Sequence, residues 1–407
     1  MKHLIYILFG LLVGCSGVRD YHNYYLNGNP HKVHSLVDLA ISQRKNQRIN
    51  FNKVKNIVIN IENVKTNRLT EKGFQLLKEC HAIEYIYIIY PQGYLKNDFS
   101  IELVEAFSEM EKLSQLHIKL DSADYIPNLF DLSNSIEKIT IEGNFIKEAS
   151  VNTLSQKSLK VLYINCSTNS FSFSGKNYND LELLSLSING KIKELDFLGL
   201  KELKKLTLGI TGKIEEPDIS DLKKLEFLSF HNDEIEYLSN DFFELPNLQA
   251  LNILTPKLKK INENISNLSL LKSLGFTSYE INELPESLSK LENLRQFSIN
   301  TTDSIISLKP LTTLPMLERL YISGFNLIEV VDEILLMKKL KFLKFTLRPL
   351  VNQDLSPLGQ LEKLKEIQFK TTYVERNGDN YIRKYLSDST INEVLDQLKK
   401  VLPEHFK

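Results

Sequence analysis

Leu181-Glu182-Leu183-Leu184-Ser185-Leu186-Ser187-Ile188-Asn189 and Ile136-Glu137-Lys138-Ile139-Thr140-Ile141-Glu142-Gly143-Asn144 share one spacing: apolar, two variable residues, apolar, one variable residue, apolar. The same spacing starts at Val54 (Val54, Ile57, Ile59) and recurs from Ile83, Leu113, Ile136, Leu159, Leu181, Leu203, Leu225, Leu248, Leu271, Leu294, Leu317, Leu340 and Leu364, fourteen times in all. The first two intervals are 29 and 30 residues, and the other eleven lie between 22 and 24. A fixed period of this length sustained over some 310 residues marks a stacked repeat array rather than a radially packed domain. In each repeat the apolar pair two residues apart points one way along a short strand, and its neighbours point the other way. One coil cannot bury that pair by itself, whereas stacked coils share a continuous interior. Fourteen strands at about 4.8 Å predict a parallel sheet roughly 65 Å long.

The second half of each repeat is apolar as well. Ile281, Leu284, Leu288, Leu291 and Leu294 step by three or four, with Pro285 after Leu284, and Leu355, Leu358, Leu361 and Leu364 repeat the pattern. The two long repeats predict helical return segments, with Phe74, Leu77 and Cys80 on one face and Leu103, Phe107 and Met110 on another. The later returns are too short for more than a turn or two, which predicts 3₁₀ or irregular backbone.

This pattern resembles the leucine-rich-repeat family, whose signature is L-x-x-L-x-L-x-x-N/C-x-L. The resemblance spans roughly residues 50–372 and implies an α/β solenoid. It would be a horseshoe or arc of about fourteen coils, with a parallel sheet on the concave face, helical returns in the first two repeats and a helical C-terminal cap. In the family a buried asparagine closes the turn after each strand. At that ninth position this chain has asparagine only at Asn144 and Asn189. Asp121, Ser167, Thr211, Asp233, Thr302 and Thr372 are polar substitutes, while Pro91, Pro256, Tyr279, Phe325 and Arg348 are not. The expected consequence is a broken asparagine ladder with turns of varied shape.

The whole chain of 407 residues is 42% apolar and 25% charged, with a formal net charge of −1, so its bulk charge gives no pull toward nucleic acid. Three cysteines are too few for a disulfide scaffold. Cys80 and Cys166 stand three coils apart, about 15 Å in a stacked sheet, which predicts that they are unpaired.

The N-terminus carries a separate signal. After Lys2 and His3, residues 4–13 form an apolar run interrupted only by Gly10, too short to span a bilayer as a helix. The run ends in Leu12-Val13-Gly14-Cys15, which resembles a bacterial lipoprotein signal peptide over residues 1–14. That resemblance implies acyl chains on Cys15 and stable membrane attachment through them. Ser16 follows with no acidic neighbour, which in such lipoproteins implies the outer membrane, on its periplasmic or its outer side. Residues 15–34 read as a tether. His22, His31 and His34 lie in it without a fixed further ligand, so no metal site is expected.

Residues 35–53 read as an N-terminal cap, with Ser35 before Leu36, Leu39 and Ala40. Residues 54–372 read as the repeats, and residues 373–407 as a C-terminal cap. In the last, Asn377-Gly378 marks a turn, Thr390-Ile391-Asn392-Glu393 has the form of a capping box, and Ile391, Val394, Leu395, Leu398 and Val401 share a helical face before Pro403.

No phosphate-binding loop, nucleophile elbow, paired-histidine zinc motif or C-x-x-C occurs, so no enzyme, cofactor or metal is expected. The outward sheet positions are the default binding surface. Their central column runs Val58, Tyr87, His117, Thr140, Tyr163, Ser185, Thr207, Ser229, Asn252, Gly275, Ser298, Tyr321, Lys344 and Gln368. Its middle is small and polar. Tyr85, Tyr87, His117 and Tyr163 flank that floor toward the front, and Arg319, Tyr321, Phe342 and Lys344 flank it toward the back. Lys119, Lys138, Lys205 and Lys370, against Glu142 and Glu366, give the face a basic lean. These residues define the candidate contact set for a protein, peptide or glycan partner, with no nucleic acid expected. An inert structural component of the envelope is the second reading of the same pattern, and an enzyme or metal-binding accessory protein the third.

Overall fold

A computed structural model of the chain describes residues 34–35, 53–60, 76–77, 79–90, 107, 110–126, 135–151, 158–302, 307–324, 327–346, 354–370, 372–377, 380–385 and 387–401. Cys15, the tether up to residue 33 and the helix expected from Leu36 lie outside the described residues, whereas His34, expected at the end of the tether, is in a strand.

The strands of the first half are β1 (His34–Ser35), β2 (Asn56–Asn60), β3 (Tyr85–Tyr90), β4 (Gln115–Tyr125), β5 (Lys138–Ser150), β6 (Val161–Ser174), β7 (Leu183–Asp196) and β8 (Lys205–Thr211). Those of the second half are β9 (Phe227–Asn232), β10 (Ala250–Leu254), β11 (Ser273–Thr277), β12 (Gln296–Asn300), β13 (Arg319–Ser323), β14 (Phe342–Thr346) and β15 (Glu366–Lys370). All fifteen form one open sheet in sequence order, each strand parallel to its neighbours. The two-residue β1 adds one strand to the fourteen counted from the repeat spacing.

The register matches the sequence period residue for residue. The central column expected from the spacing is an unbroken chain of cross-strand partners from Val58 through Tyr87, His117 and on to Gln368. Inward residues such as Ile57, Ile86, Leu184, Leu228, Leu251, Leu274, Leu320 and Leu343 have no exposed surface. At roughly 25 cal/mol per Å² of apolar area, each such leucine contributes about 2 kcal/mol by leaving water. The interior is one continuous cluster from Val54 to Leu398. Cys80 and Cys166 are both buried in it and unpaired, as their separation required.

The turn after the strand departs from expectation. The buried polar position is the eighth of the repeat, not the ninth. Strand alternation simply continues, so Leu228, Phe230 and Asn232 all point inward, and Asn232 is fully buried. Its Nδ2 donates to the carbonyls of Ile210 (2.9 Å) and Gly212 (3.0 Å), and its Oδ1 accepts from the N–H groups of Glu234 (2.8 Å) and Ile235 (2.9 Å). Thr255, Ser278 and Thr301 occupy the same place in later coils, each at most 1% exposed. Gly324 follows them with φ +90°, and a Cβ there would lie 1.9 Å from the carbonyl oxygen of Thr301. Asn144 and Asn189, at the ninth position, are exposed and bond to side chains: Asn144 to Asp121, Asn189 to Ser167 and Thr211.

Strand length follows the eighth position only in part: β8 stops at seven residues and β13 at five, although Ile210 and Gly324 stand there. From β4 to β7 that position is Leu120, Gly143, Cys166 and Ile188, which offer no side chain to close the turn. There the strands run on for 11 to 14 residues. Their second halves bury Ile146 and Ala149, then Phe171 and Phe173, with register shifts after Gly143 and Thr168. The short strand expected in every repeat is therefore corrected for this sector. From β10 to β15 each strand has five residues, and 3₁₀ turns such as Glu263–Asn267 and Glu286–Lys290 make the returns, as the spacing predicted. Leu327–Leu336 is an exception: it forms a ten-residue α-helix, α1, which buries Val330 and Ile334. Among the described residues of the long repeats, Leu76, Leu77 and Phe107 are helical and buried.

Beyond β15 comes the antiparallel hairpin of β16 (Thr372–Asn377) and β17 (Asn380–Tyr385), closed by the pair Asn377 and Asn380. Helix α2 (Asp388–Val401) then covers the last coil with Val394 and Leu398, and Gln397 Oε1 accepts the N–H of Leu355 at 2.7 Å. The helix begins two residues before the expected capping box. Its first intrahelical bond runs from the N–H of Ile391 to the carbonyl of Ser387 (3.0 Å), so Thr390 lies within the first turn.

Candidate functional site

The sheet face presents three outward columns across β2–β15, because each strand exposes alternate residues and the parallel register carries each column from coil to coil. In these columns six residues are Lys or Arg and two are Glu, so the face is basic on a chain whose net charge is −1.

Toward the front, Tyr85, Tyr87 and His117 meet across β3 and β4. The Tyr85 hydroxyl lies 3.4 Å from Nδ1 of His117, and the rings of Tyr87 and His117 are tilted with centroids 4.5 Å apart. Nε2 of His117 sits 3.5 Å from the carboxylate of Glu142. Burial, and then the charge of Glu142, push the Tyr87 hydroxyl above its ordinary pKa. Tyr163 is not part of this group. It lies two strands beyond His117 in the same column, under the ammonium of Lys138 at 5.3 Å, and burial lowers the pKa of Lys138.

Toward the back the register pairs Arg319 with Phe342 and Tyr321 with Lys344. The result is a square with cations on one diagonal and rings on the other. The guanidinium of Arg319 is 5.5 Å from the centre of the Phe342 ring, and the rings of Tyr321 and Phe342 are 5.0 Å apart. Lys344 Nζ donates to Oε1 of Gln368 at 3.0 Å. Of the eight residues expected to make contacts, Tyr85, His117 and Phe342 are at most 9% exposed. They brace their neighbours more than they offer area. Tyr87, Tyr163, Tyr321 and Lys344 are half-exposed and Arg319 is exposed.

Between the two groups lies the small polar floor. Ser229 is 1% exposed and Asn252 and Ser298 are 9% exposed, so larger neighbours shade it. His231 Nε2 meets Asp233 Oδ1 at 3.0 Å, a hydrogen bond that holds the Asp233 carboxyl below its usual pKa range.

A row just outside the face escaped the sequence reading. The residue after the first apolar position of each repeat forms a ladder of side chains one coil apart: Lys55–Glu84 (2.7 Å), Lys160–Glu137 (2.7 Å), Lys204–Glu182 (2.9 Å) and Lys341–Glu318 (2.7 Å), with Lys272 donating to Gln249. The alternation of Lys and Glu at a 22- to 29-residue interval was its signal in the sequence.

The chain is similar in structure to a leucine-rich-repeat protein of Leptospira interrogans, with a TM-score of 0.53, 19% identity, and coverage of 84% of this chain and 88% of that one. The fold is a leucine-rich-repeat solenoid. An internalin of Listeria monocytogenes matches at a TM-score of 0.44 and 17% identity, over 75% of this chain and 91% of that one. No protein-family model matches the sequence, and no curated protein matches it.

Proposed function

We propose that this chain is a non-catalytic binding module that recognises a protein or peptide on the outward face of its sheet, held at a bacterial envelope by lipid on Cys15. The observation that carries this reading is the unbroken three-column face. It is continuous for fourteen strands and carries half-exposed tyrosines and an exposed arginine, the kinds of side chain enriched in binding hot spots. The geometry gives little support to catalysis. Ser229, His231 and Asp233 follow one another along β9 and its turn, but Ser229 is 1% exposed and its hydroxyl cannot meet a substrate. Among the described residues no group of three or more His, Cys, Asp or Glu side chains is placed to hold a metal.

Capture of partners from the native envelope tests the reading. Tyr321→Ala and Tyr87→Ala should release the captured protein, while charge reversal at Lys201 or Glu292, both exposed and outside the three columns, should retain it. Equal retention by all four variants would move the site off the sheet. Anchoring is tested separately: Cys15→Ser should transfer the chain from the membrane to the soluble fraction and abolish fatty-acid labelling.

A further inference from the structure

Lys204 and Lys205 are adjacent in sequence but differ in partnership. Lys204 lies in the ion-pair ladder and meets Glu182 at 2.9 Å. Lys205 opens β8 on the sheet face, is exposed, and makes no ion pair among the described residues. Arg319 occupies the same column and is also exposed. Its one contact on the face is the ring of Phe342, with no carboxylate paired to it among the described residues. Between them the column reads Phe227, Ala250, Ser273 and Gln296, all half-exposed. No Lys, Arg, Asp or Glu occurs in any outward column of β9–β12. Two cations without an ion-pair partner among the described residues thus stand at the ends of a floor whose outward columns carry no Lys, Arg, Asp or Glu; the Asp233 carboxylate lies at its edge, bonded to His231.

The floor has a polar group of its own. Asn252 is 9% exposed, and its side-chain amide has no hydrogen-bond partner among the described residues. Its Oδ1 lies 2.7 Å from where a Cβ on Gly275 would stand, so the amide lies over the glycine in the space a side chain would fill. A carboxamide offers both a donor and an acceptor, which matches the N–H and C=O of a peptide unit.

We propose that this face takes an extended acidic peptide segment of its partner, laid across β8–β13, with one carboxylate at Lys205, a second at Arg319 and small uncharged side chains between them. This rests on the binding reading above and specifies its ligand. Five strand steps at about 4.8 Å separate the two cations by roughly 24 Å, and an extended chain rising about 3.3 Å per residue covers that in about seven residues. Asn252 would bond the peptide backbone over Gly275, where the floor is lowest.

The test is fluorescence anisotropy with the full chain at low salt. The probe is a labelled, end-blocked octapeptide with Glu at its first and eighth positions and Ser, Thr and Ala between. Control probes carry Gln at both ends, Lys at both ends, or Glu at positions one and four. The Glu-ended probe should bind about tenfold more tightly than the Gln-ended one, the sum expected of two exposed ion pairs. The short-spaced probe should fall between them. Lys205→Glu and Arg319→Glu should each remove most of the preference, and the double variant should prefer the Lys-ended probe. Both side chains are exposed, so an unchanged melting temperature confirms that the variants fold. Gly275→Val should weaken every probe by raising the floor.

Equal binding of the Glu- and Gln-ended probes, no binding up to millimolar concentration, or an unchanged preference in the double variant would overturn the proposal. So would tighter, equally charge-dependent binding of a single-stranded oligonucleotide. The broader reading fails separately, when the captured partner is indifferent to Tyr87→Ala and Tyr321→Ala.

Discussion

Replacing Asn232 with alanine tests where this solenoid closes its turns. The side chain makes four hydrogen bonds to backbone groups of two coils and has no exposed surface. Two of its partners, the Gly212 carbonyl and the Glu234 N–H, belong to exposed residues, and water replaces the lost bond there. The other two are deep: Ile210 is 0% exposed and Ile235 is 9% exposed. Each buried group left unsatisfied costs about 1–3 kcal/mol, so Asn232→Ala should destabilise by about 3–4 kcal/mol. Asn144→Ala and Asn189→Ala, at the position where the family signature places its asparagine, remove only exposed contacts between side chains and should cost under about 1 kcal/mol each. Urea unfolding followed by circular dichroism gives the comparison. Stacked repeats couple mainly to their neighbours, so hydrogen exchange should also rise over residues 203–250 before it rises elsewhere. An Asn189→Ala variant as unstable as Asn232→Ala would refute the assignment of the eighth position as the closing one.

Burial pushes the thiols of Cys80 and Cys166 up to about 12, so neither should react with an aromatic disulfide reagent at pH 8 until denaturant opens the array. Burial raises the carboxyl pKa of Glu216, which accepts the N–H of Ser239. A raised folded-state pKa gives stability that is complete below the unfolded value and lost as pH rises through the folded one. Glu216→Gln keeps an acceptor without the charge, so its melting temperature should exceed wild type at pH 7 and match it near pH ~4. Gly324→Ala forces both a left-handed backbone and a contact 1.9 Å from the Thr301 carbonyl oxygen, so it should cost more than about 2 kcal/mol. By contrast, a Cβ added at Gly359 would meet no atom within 4 Å, and Gly359→Ala should be neutral by the same urea assay.

What the sequence showed best was whatever the coil repeats without change. Leucine spacing placed every central-column residue against its observed cross-strand partner, because a one-residue slip would have turned the whole inward set out to solvent. It showed least where a coil departs from the average. The Ser170-Phe171-Ser172-Phe173-Ser174 stretch alternates with the period of a strand, and that signal announced the long β6, but it falls outside the repeated motif. Val330, Ile334 and Met337 step with the period of a helix, yet the interval from Leu317 to Leu340 is 23 residues, the same as in coils whose returns are 3₁₀. Interval length constrains the path of a return, not its hydrogen bonding. The closing residue sits one place before the family signature's asparagine because this chain simply extends the alternation of its strand.

For the binding face, spacing identifies the column of a residue but not how far its neighbours shade it. Tyr85 and Tyr87 are both outward by register and both touch His117 in the next coil, yet Tyr85 is 6% exposed and Tyr87 is half-exposed. Charge behaves differently. Lys204 and Lys205 are identical in composition and adjacent in sequence, so no count of lysines distinguishes them. Their columns do: the row of Lys204 holds Glu182 and Glu226 one coil to either side, whereas that of Lys205 holds Leu183 and Phe227. A carboxylate one coil away draws Lys204 into an ion pair and raises its pKa through that hydrogen bond. Apolar neighbours leave the ammonium of Lys205 available to a partner. In a solenoid a residue's electrostatic neighbours lie one repeat away in sequence, so candidate contacts are best read by column before they are read by composition.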